Sequence, residues 1–264
     1  MIAPKYIDTH THLDDELFSD DLEATLADAR SAGVSAMVNI GFSPARWTST
    51  LALAQKYPFI RYALGLHPGH ADEWSEELFT SLTEMVGRTH PVAIGEIGLD
   101  YYWTSENKAI QRASFERQIE LAHSHQLPIV IHQRNAAADV HAVLSNTPAD
   151  LRVVLHSCDG DPALMDLAEE RGWLIGVGGL MTRRQSESLR SRLPSFPLEQ
   201  VVLETDSPYL VPSGVRMRRN TPSSIPLIAE RLAGLTGRPL PEIAAVTTQN
   251  AERVFGLTVA AAAP

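Results

Sequence analysis

The feature that most constrains this chain is an alternation repeated eight times: a short apolar run, then a segment whose apolar residues recur at helical spacing. The runs are "KYIDTH", "VSAMVNIGF", "IRYALGLHP", "VAIGEIGLD", "PIVIHQR", "RVVLHSCDG", "WLIGVGG" and "VVLETDSP". A representative helical segment is "SDDLEATLADARSAG", where Leu22, Leu26 and Ala29 recur behind Ser19, the expected N-cap, and ahead of Gly33, the expected stop. "TRRQSESLRSRL" and "SIPLIAERLAGLTG" read as helices, and "LPEIAAVTTQNAERVFG" as an additional C-terminal helix. Apolar runs without strict polar alternation mark parallel strands covered on both faces. Eight βα units in roughly 250 residues predict a TIM (β/α)8 barrel, an α/β fold. A doubly wound open sheet is the alternative.

No shift in composition divides the chain, so residues 1–257 are expected to form one domain, with the low-complexity tail 258–264 disordered. The single cysteine, Cys158, excludes an internal disulfide and fits a reducing compartment. The N-terminus lacks the basic and apolar regions of a secretory signal, and no apolar run reaches the roughly 18 residues of a membrane span. A cytoplasmic protein with no membrane contact and no obligate protein partner is expected. The formal net charge of −10 argues against a non-specific clamp on nucleic-acid backbone. It leaves room for a phosphate substrate, because bound divalent cations reverse the local sign.

Active sites of TIM barrels lie at the C-terminal ends of the strands. There the sequence places His10 and His12, Glu96, His132, His156 and Asp206, each at the end of a run. Residues i and i+2 of a strand share a face, so His10 and His12 can reach one ion. Any one of these residues alone is weak evidence; the set, always at the same end, points to metal. Imidazoles and carboxylates in this number exceed one tetrahedral site and suit two ions sharing a carboxylate.

At this point the chain resembles the TatD-type metal-dependent deoxyribonucleases of the amidohydrolase superfamily. The resemblance runs over about residues 5 to 256 and is carried by "IDTHTHLD", "GLHP", "AIGEIGLDYY", "IHQR", "VLHS" and "LETDSPYL". It implies a TIM barrel, two divalent ions (Mg, Mn or Zn) and hydrolysis of DNA or another phosphodiester, often as a 3′→5′ exonuclease. It further implies that His10, His12 and Asp206 hold one metal, and His132 and His156 the other, with Glu96 bridging. Asp206 and Glu96 are then the expected catalytic residues. Two departures concern the substrate side: "HSCDG" puts Asp159 near the rim, and "RRNTPSS" has Thr221 where the family usually carries an acid.

Substrate contacts are expected from His67, Arg134, Arg218 and Arg219. His67 can hold a phosphate oxygen or cap its loop. Arg134 can meet a phosphate or a neighbouring acid. Tyr101, Tyr102 and Trp103 can stack on bases or pack under a lid. Asp14 and Asp15 read as surface acids, Cys158 as a packing residue, and Arg183, Arg184, Arg190 and Arg192 as a solvated helix face. His90, His123, His125 and His141 read as surface residues at the opposite end. Two rival functions remain: an amidohydrolase acting on a small ester or amide, and a non-catalytic metal-bearing scaffold. The first often needs a carboxylated lysine on strand four, where this chain has Glu96. The second would suit an incomplete ligand set.

Overall fold

The structure is a computed structural model that describes residues 4–102 and 106–257; the expectations for Trp103 and for the tail 258–264 lie outside the described residues. Strands β1 (Tyr6–Thr11), β2 (Val34–Gly41), β3 (Ile60–Leu64), β4 (Ala93–Asp100), β5 (Ile129–Arg134), β6 (Val153–Leu155), β7 (Leu174–Val177) and β8 (Val201–Leu203) form one sheet in chain order. Every neighbouring pair is parallel. The sheet curls until its edges meet. Thr11 bridges Ser207, the His12 N–H donates to the Ser207 carbonyl at 2.8 Å, and the Asp206 N–H to the His10 carbonyl at 3.0 Å. The sheet is therefore a TIM barrel, and the open-sheet alternative falls.

Helices α1 (Leu22–Ser31), α2 (Pro44–Lys56), α3 (Glu76–Thr89), α4 (Lys108–Ser124), α5 (Ala137–Leu144), α6 (Pro162–Arg171) and α7 (Glu187–Arg192) follow β1 to β7 in turn, and α8 (Ile225–Thr236) and α9 (Leu240–Phe255) follow β8. None is long and apolar enough to cross a membrane. Helix α9 has a distinct task. Its Ala251, Val254 and Phe255 share a core cluster with strand residues such as Ile7, Ala63 and Val202. Thr248 donates to the Lys5 carbonyl, and Arg152 reaches the Val254 carbonyl. Lys5 and Arg152 precede β1 and β6, so α9 covers the N-terminal mouth and leaves the other mouth for chemistry. Burying side chains such as Val254 and Phe255 contributes roughly 1.5–3 kcal/mol each.

Two helix boundaries differ from expectation. Asp21, not Ser19, stands at the N-cap of α1. The Ser19 hydroxyl instead donates to the Glu16 carbonyl, closing a 3-10 turn over Glu16–Phe18. Helix α7 is only six residues long, although "TRRQSESLRSRL" reads as a helix from end to end. The cause is Arg190, whose guanidinium donates to the carbonyls of Met181, Arg183 and Arg184. Those carbonyls turn toward a side chain and do not continue into a helix, so Arg190 is a structural tie and not part of a solvated face.

Candidate metal centre

The expected rim residues arrive on different strands. His10 lies in β1, with His12 just beyond it; Glu96 is in β4, His132 in β5, and His156 and Asp206 just beyond β6 and β8. Local sequence permits the approach. Gly98 of β4 stands beside His132 with φ +139°, and a Cβ there would lie 2.0 Å from the His132 carbonyl oxygen, so only glycine allows the two strands so close. Asp206 adopts a left-handed backbone (φ 54°), which aspartate tolerates better than most residues and which turns its carboxylate inward.

The distances define the cluster. Asp206 Oδ1 is 3.3 Å from His12 Nε2, 3.8 Å from His10 Nε2 and 3.9 Å from His156 Nε2. Glu96 reaches His10 Nε2 at 3.4 Å through Oε2, and His132 Nδ1 at 2.7 Å and His156 Nε2 at 3.7 Å through Oε1. The rings of His10 and His156 stack with centroids 3.4 Å apart. Donor atoms gather as His10, His12 and Asp206, and as His10, Glu96 and His156. His132 gathers instead with His67 and Asp100. Both of its nitrogens face carboxylates, the second being Asp100 Oδ2 at 2.9 Å from Nε2.

The electrostatics fit a cation. His10 is fully buried, and neither of its ring nitrogens has a hydrogen-bond partner. Burial opposes charge on His132 and His156. Hydrogen bonds to Asp100 and Glu96 nevertheless raise His132 to about 9, and Glu204 and Glu96 raise His156 to about 10. Burial opposes ionisation of Glu96, yet His156, His10 and His67 hold it well below the usual carboxylate range. Asp206 is likewise lowered by His12, His156 and His10 against its burial. The carboxylates thus favour positive charge at His132 and His156, while burial disfavours it at His10. A divalent ion fits the same donors, and an orphaned buried imidazole such as His10 gains a partner from it.

Three carboxylates of this neighbourhood carry no signal in the sequence. Asp100 contacts His132. Glu204 is buried; its Oε1 accepts from the Ser157 N–H at 2.6 Å and lies 3.1 Å from His156 Nδ1. A Cβ on Gly176 would come within 2.2 Å of Glu204 Oε2, so the glycine of the neighbouring strand makes the space this carboxylate occupies. Asp8 accepts from the Thr205 N–H and hydroxyl and from the His10 N–H. Burial pushes the Asp8 carboxyl up to about 8.

The expected substrate residues divide. His67 faces the cluster, with Nε2 3.8 Å from Glu96, while its Nδ1 accepts from the Gly69 N–H. Burial and His132 lower it to about 3. Arg134 ends β5 and lies over the Tyr102 ring, 3.6 Å from its centroid. Arg134 and Tyr102 line a cavity of about 490 Å³ whose floor includes His132, His156 and Asp206. Arg218 is exposed and makes no ion pair among the described residues. Arg219 does not point to the rim. Its guanidinium bonds Asp21 and Thr25 and lies 4.5 Å from the Phe18 ring centroid, pinning the loop to α1. Asp14 is not a surface acid either: its side chain is 5% exposed and accepts from Asn39, Ser49 and Thr50. Asp15 caps the 3-10 turn and meets Arg46. Asp159 lines the cavity wall but is held by the Gln133 amide at 2.8 Å. Thr221 opens the turn before α8, its hydroxyl on Ser223. Tyr101 packs partly buried against the core, its hydroxyl on Asp139. Cys158 is buried, and burial pushes its thiol up to about 12, which suits a packing role.

Comparison with known proteins agrees with this arrangement. The model of the family described as TatD related DNase matches residues 7–256. YabD of Bacillus subtilis, an uncharacterized metal-dependent hydrolase, is 34% identical over 249 residues, 94% of this chain and 98% of its own. The 3′-5′ ssDNA/RNA exonuclease TatD of Erwinia tasmaniensis is 33% identical over 257 residues, 95% of this chain and 99% of its own. Among solved structures, the TatD homolog YJJV of Escherichia coli K12 superposes with a TM-score of 0.88 at 30% identity, covering 96% of this chain and 98% of that one. With the family model spanning nearly the whole chain, and relatives at 33–34% identity aligned end to end, this chain belongs to the TatD family of metal-dependent hydrolases.

Proposed function

We propose that this chain is a metal-dependent nuclease that hydrolyses phosphodiester bonds of single-stranded nucleic acid from the 3′ end. The observation that carries the reading is the convergence of His10, His12, Glu96, His156 and Asp206 around buried nitrogens without hydrogen-bond partners. The exonuclease relative at 33% identity supports the substrate class.

Two divalent ions would be held by this rim, one by His10, His12 and Asp206 and the other by His156 and Glu96; His132, whose two nitrogens meet Glu96 and Asp100, would join the second on giving up one of those contacts. Such ions would supply positive charge that acidifies a water and steadies the departing 3′ oxygen. The chain's own groups do the positioning. Asp206, ionised and at the cavity wall, orients the attacking water and accepts its proton. His67 is neutral; with Nδ1 already accepting from Gly69, its Nε2 carries the proton and donates to a phosphate oxygen. Arg134 holds the next phosphate, and the exposed Tyr102 ring beneath it offers a base-stacking face. A cytoplasmic setting suits a chain whose lone thiol is unpaired.

The test is a substrate panel on metal-reconstituted protein: single-stranded DNA, duplex DNA, RNA, a simple phosphodiester and an aminoacyl ester. A ladder shortening from the 3′ end of single strands, abolished by chelation, is expected. Cleavage of the ester alone would overturn the nuclease reading.

A further inference from the structure

The six-residue helix α7 and the segment before it face α8 across a gap. A groove of about 770 Å³ opens there, lined by Met181, Thr182, Arg184, Arg190, Arg231 and Leu235. The groove does not stand apart from the metal centre. Leu180, Arg183 and Gln185 line the rim cavity, whereas Met181, Thr182 and Arg184 line the flank groove. Residues 180–185 are thus one ridge with a cavity on each side. The ridge is built, not loose. Arg190 ties its carbonyls, the Ser186 hydroxyl donates to Leu180 at 2.8 Å, and the Ser213 N–H donates to the Thr182 hydroxyl at 2.7 Å.

Its charge runs against that of the whole molecule. The chain carries −10, yet the side chains of Arg183, Arg184 and Arg231 make no ion pair among the described residues. Arg190 is paired with Glu187, and Glu230 is the one carboxylate lining the groove among the described residues. Met181 and Leu235 add apolar wall. Unpaired guanidinium groups beside an apolar surface, continuous with a catalytic cavity, match a single strand, whose phosphates and base faces are both exposed.

We infer that this groove is the subsite for the retained part of the substrate: a single-stranded polynucleotide with its 3′ end in the rim cavity crosses the 180–185 ridge, places backbone phosphates at Arg183 and Arg184, and lays its next nucleotides against Arg231, Met181 and Leu235. The inference rests on the nuclease reading and adds a length preference to it. Nucleotides remote from the scissile bond contribute binding, so KM falls as the strand grows.

The experiment measures KM and its salt dependence for a dinucleotide and a twelve-nucleotide single strand, for wild type, Arg184→Ala/Arg231→Ala and Leu235→Glu. Leu235 is partly buried and packs against the core, so a thermal melt of Leu235→Glu serves as its folding control. In wild type the longer strand should have the lower KM. In the double variant the ratio of long-strand to dinucleotide KM should rise about tenfold, and the long-strand salt slope should fall by about 1.4, roughly 0.7 for each phosphate that is no longer neutralised. Leu235→Glu should raise the same ratio. If wild type degrades both lengths with equal KM, or neither variant changes the ratio, the groove is not a subsite while the nuclease reading stands. If wild type cleaves no oligonucleotide, the nuclease reading itself fails and takes this inference with it.

Discussion

Replacing Glu204 with glutamine isolates the charge behind the proposed ligand His156. Glu204 is 1% exposed, and its Oε1 both accepts from Ser157 at 2.6 Å and stands 3.1 Å from His156 Nδ1. Glutamine keeps the shape and an acceptor oxygen for Ser157 but removes the negative charge that holds a proton on Nδ1 and leaves Nε2 toward the cluster. Losing such a partner behind a metal-binding histidine costs about 10–100-fold in affinity, which is roughly 1.4–2.7 kcal/mol. Glu204→Ala should lose more, since the Ser157 N–H is then left without its acceptor, adding about 1–3 kcal/mol to the destabilisation of the fold. The assay is calorimetric titration of Mn²⁺ into chelator-stripped protein, with thermal melts of the metal-free variants as a folding control. An unchanged affinity in Glu204→Gln with an unchanged melt would refute the reasoning. A loss confined to Glu204→Ala would show that shape, not charge, holds His156.

Other outcomes follow from the same geometry. Asp206→Asn should lower kcat by about 10²–10⁴-fold at saturating metal, the usual worth of a positioned proton acceptor; near wild-type turnover would remove it from that role. His132 and His156 are raised to about 9 and about 10, above the unfolded value of about 6.5. Their contribution to the metal-free fold is therefore complete below about pH 6.5 and is lost as pH climbs through those values. Metal-free protein should melt at a lower temperature near pH 10 than near pH 6.5, and His132→Gln should shrink the difference; a flat profile would count against the shifts. Arg219→Ala should destabilise by about 1 kcal/mol, from one partly exposed ion pair and one cation–ring contact, and lower Tm by about 2–4 °C. Its KM for a dinucleotide should not move, and a kinetic effect without a stability effect would return Arg219 to the substrate.

How much of this was legible in the sequence depended on whether a signal was local. The barrel was, because strands buried on both faces are apolar runs and each is punctuated by a helix. The approach of His10, His12, Glu96, His156 and Asp206 to one another was, because each lies in or just beyond the end of an apolar run; that His132 meets Asp100 as well as Glu96 was not. Glu204 was not: it precedes Asp206 by two residues, and the space for it comes from Gly176 on another strand, visible only once β7 and β8 are paired. Asp100 was not either, because a carboxylate closing "GEIGLD" has no spacing partner of its own. Arg219 misled because its sequence neighbours are arginines near the last strand end, while its partner Asp21 is 198 residues away. The length of α7 hinged on Arg190 capturing three carbonyls, which periodicity does not record.

The seam where β1 meets β8 joins distant parts of the polypeptide: Thr205 bonds Asp8 across 197 residues, with His10 and Asp206 beside it. On a ribosome His10 and His12 emerge early, and the Asp206 carboxylate beside them emerges only after some three-quarters of the polypeptide has been made. Until then the nascent chain carries imidazoles with no acid from the last strand to complete their set, and closing so long a loop awaits the packing of everything between. If the proposed ligand set holds, hydrolytic competence would arrive late in synthesis, and prematurely terminated products ending before Asp206 would lack one member of the centre.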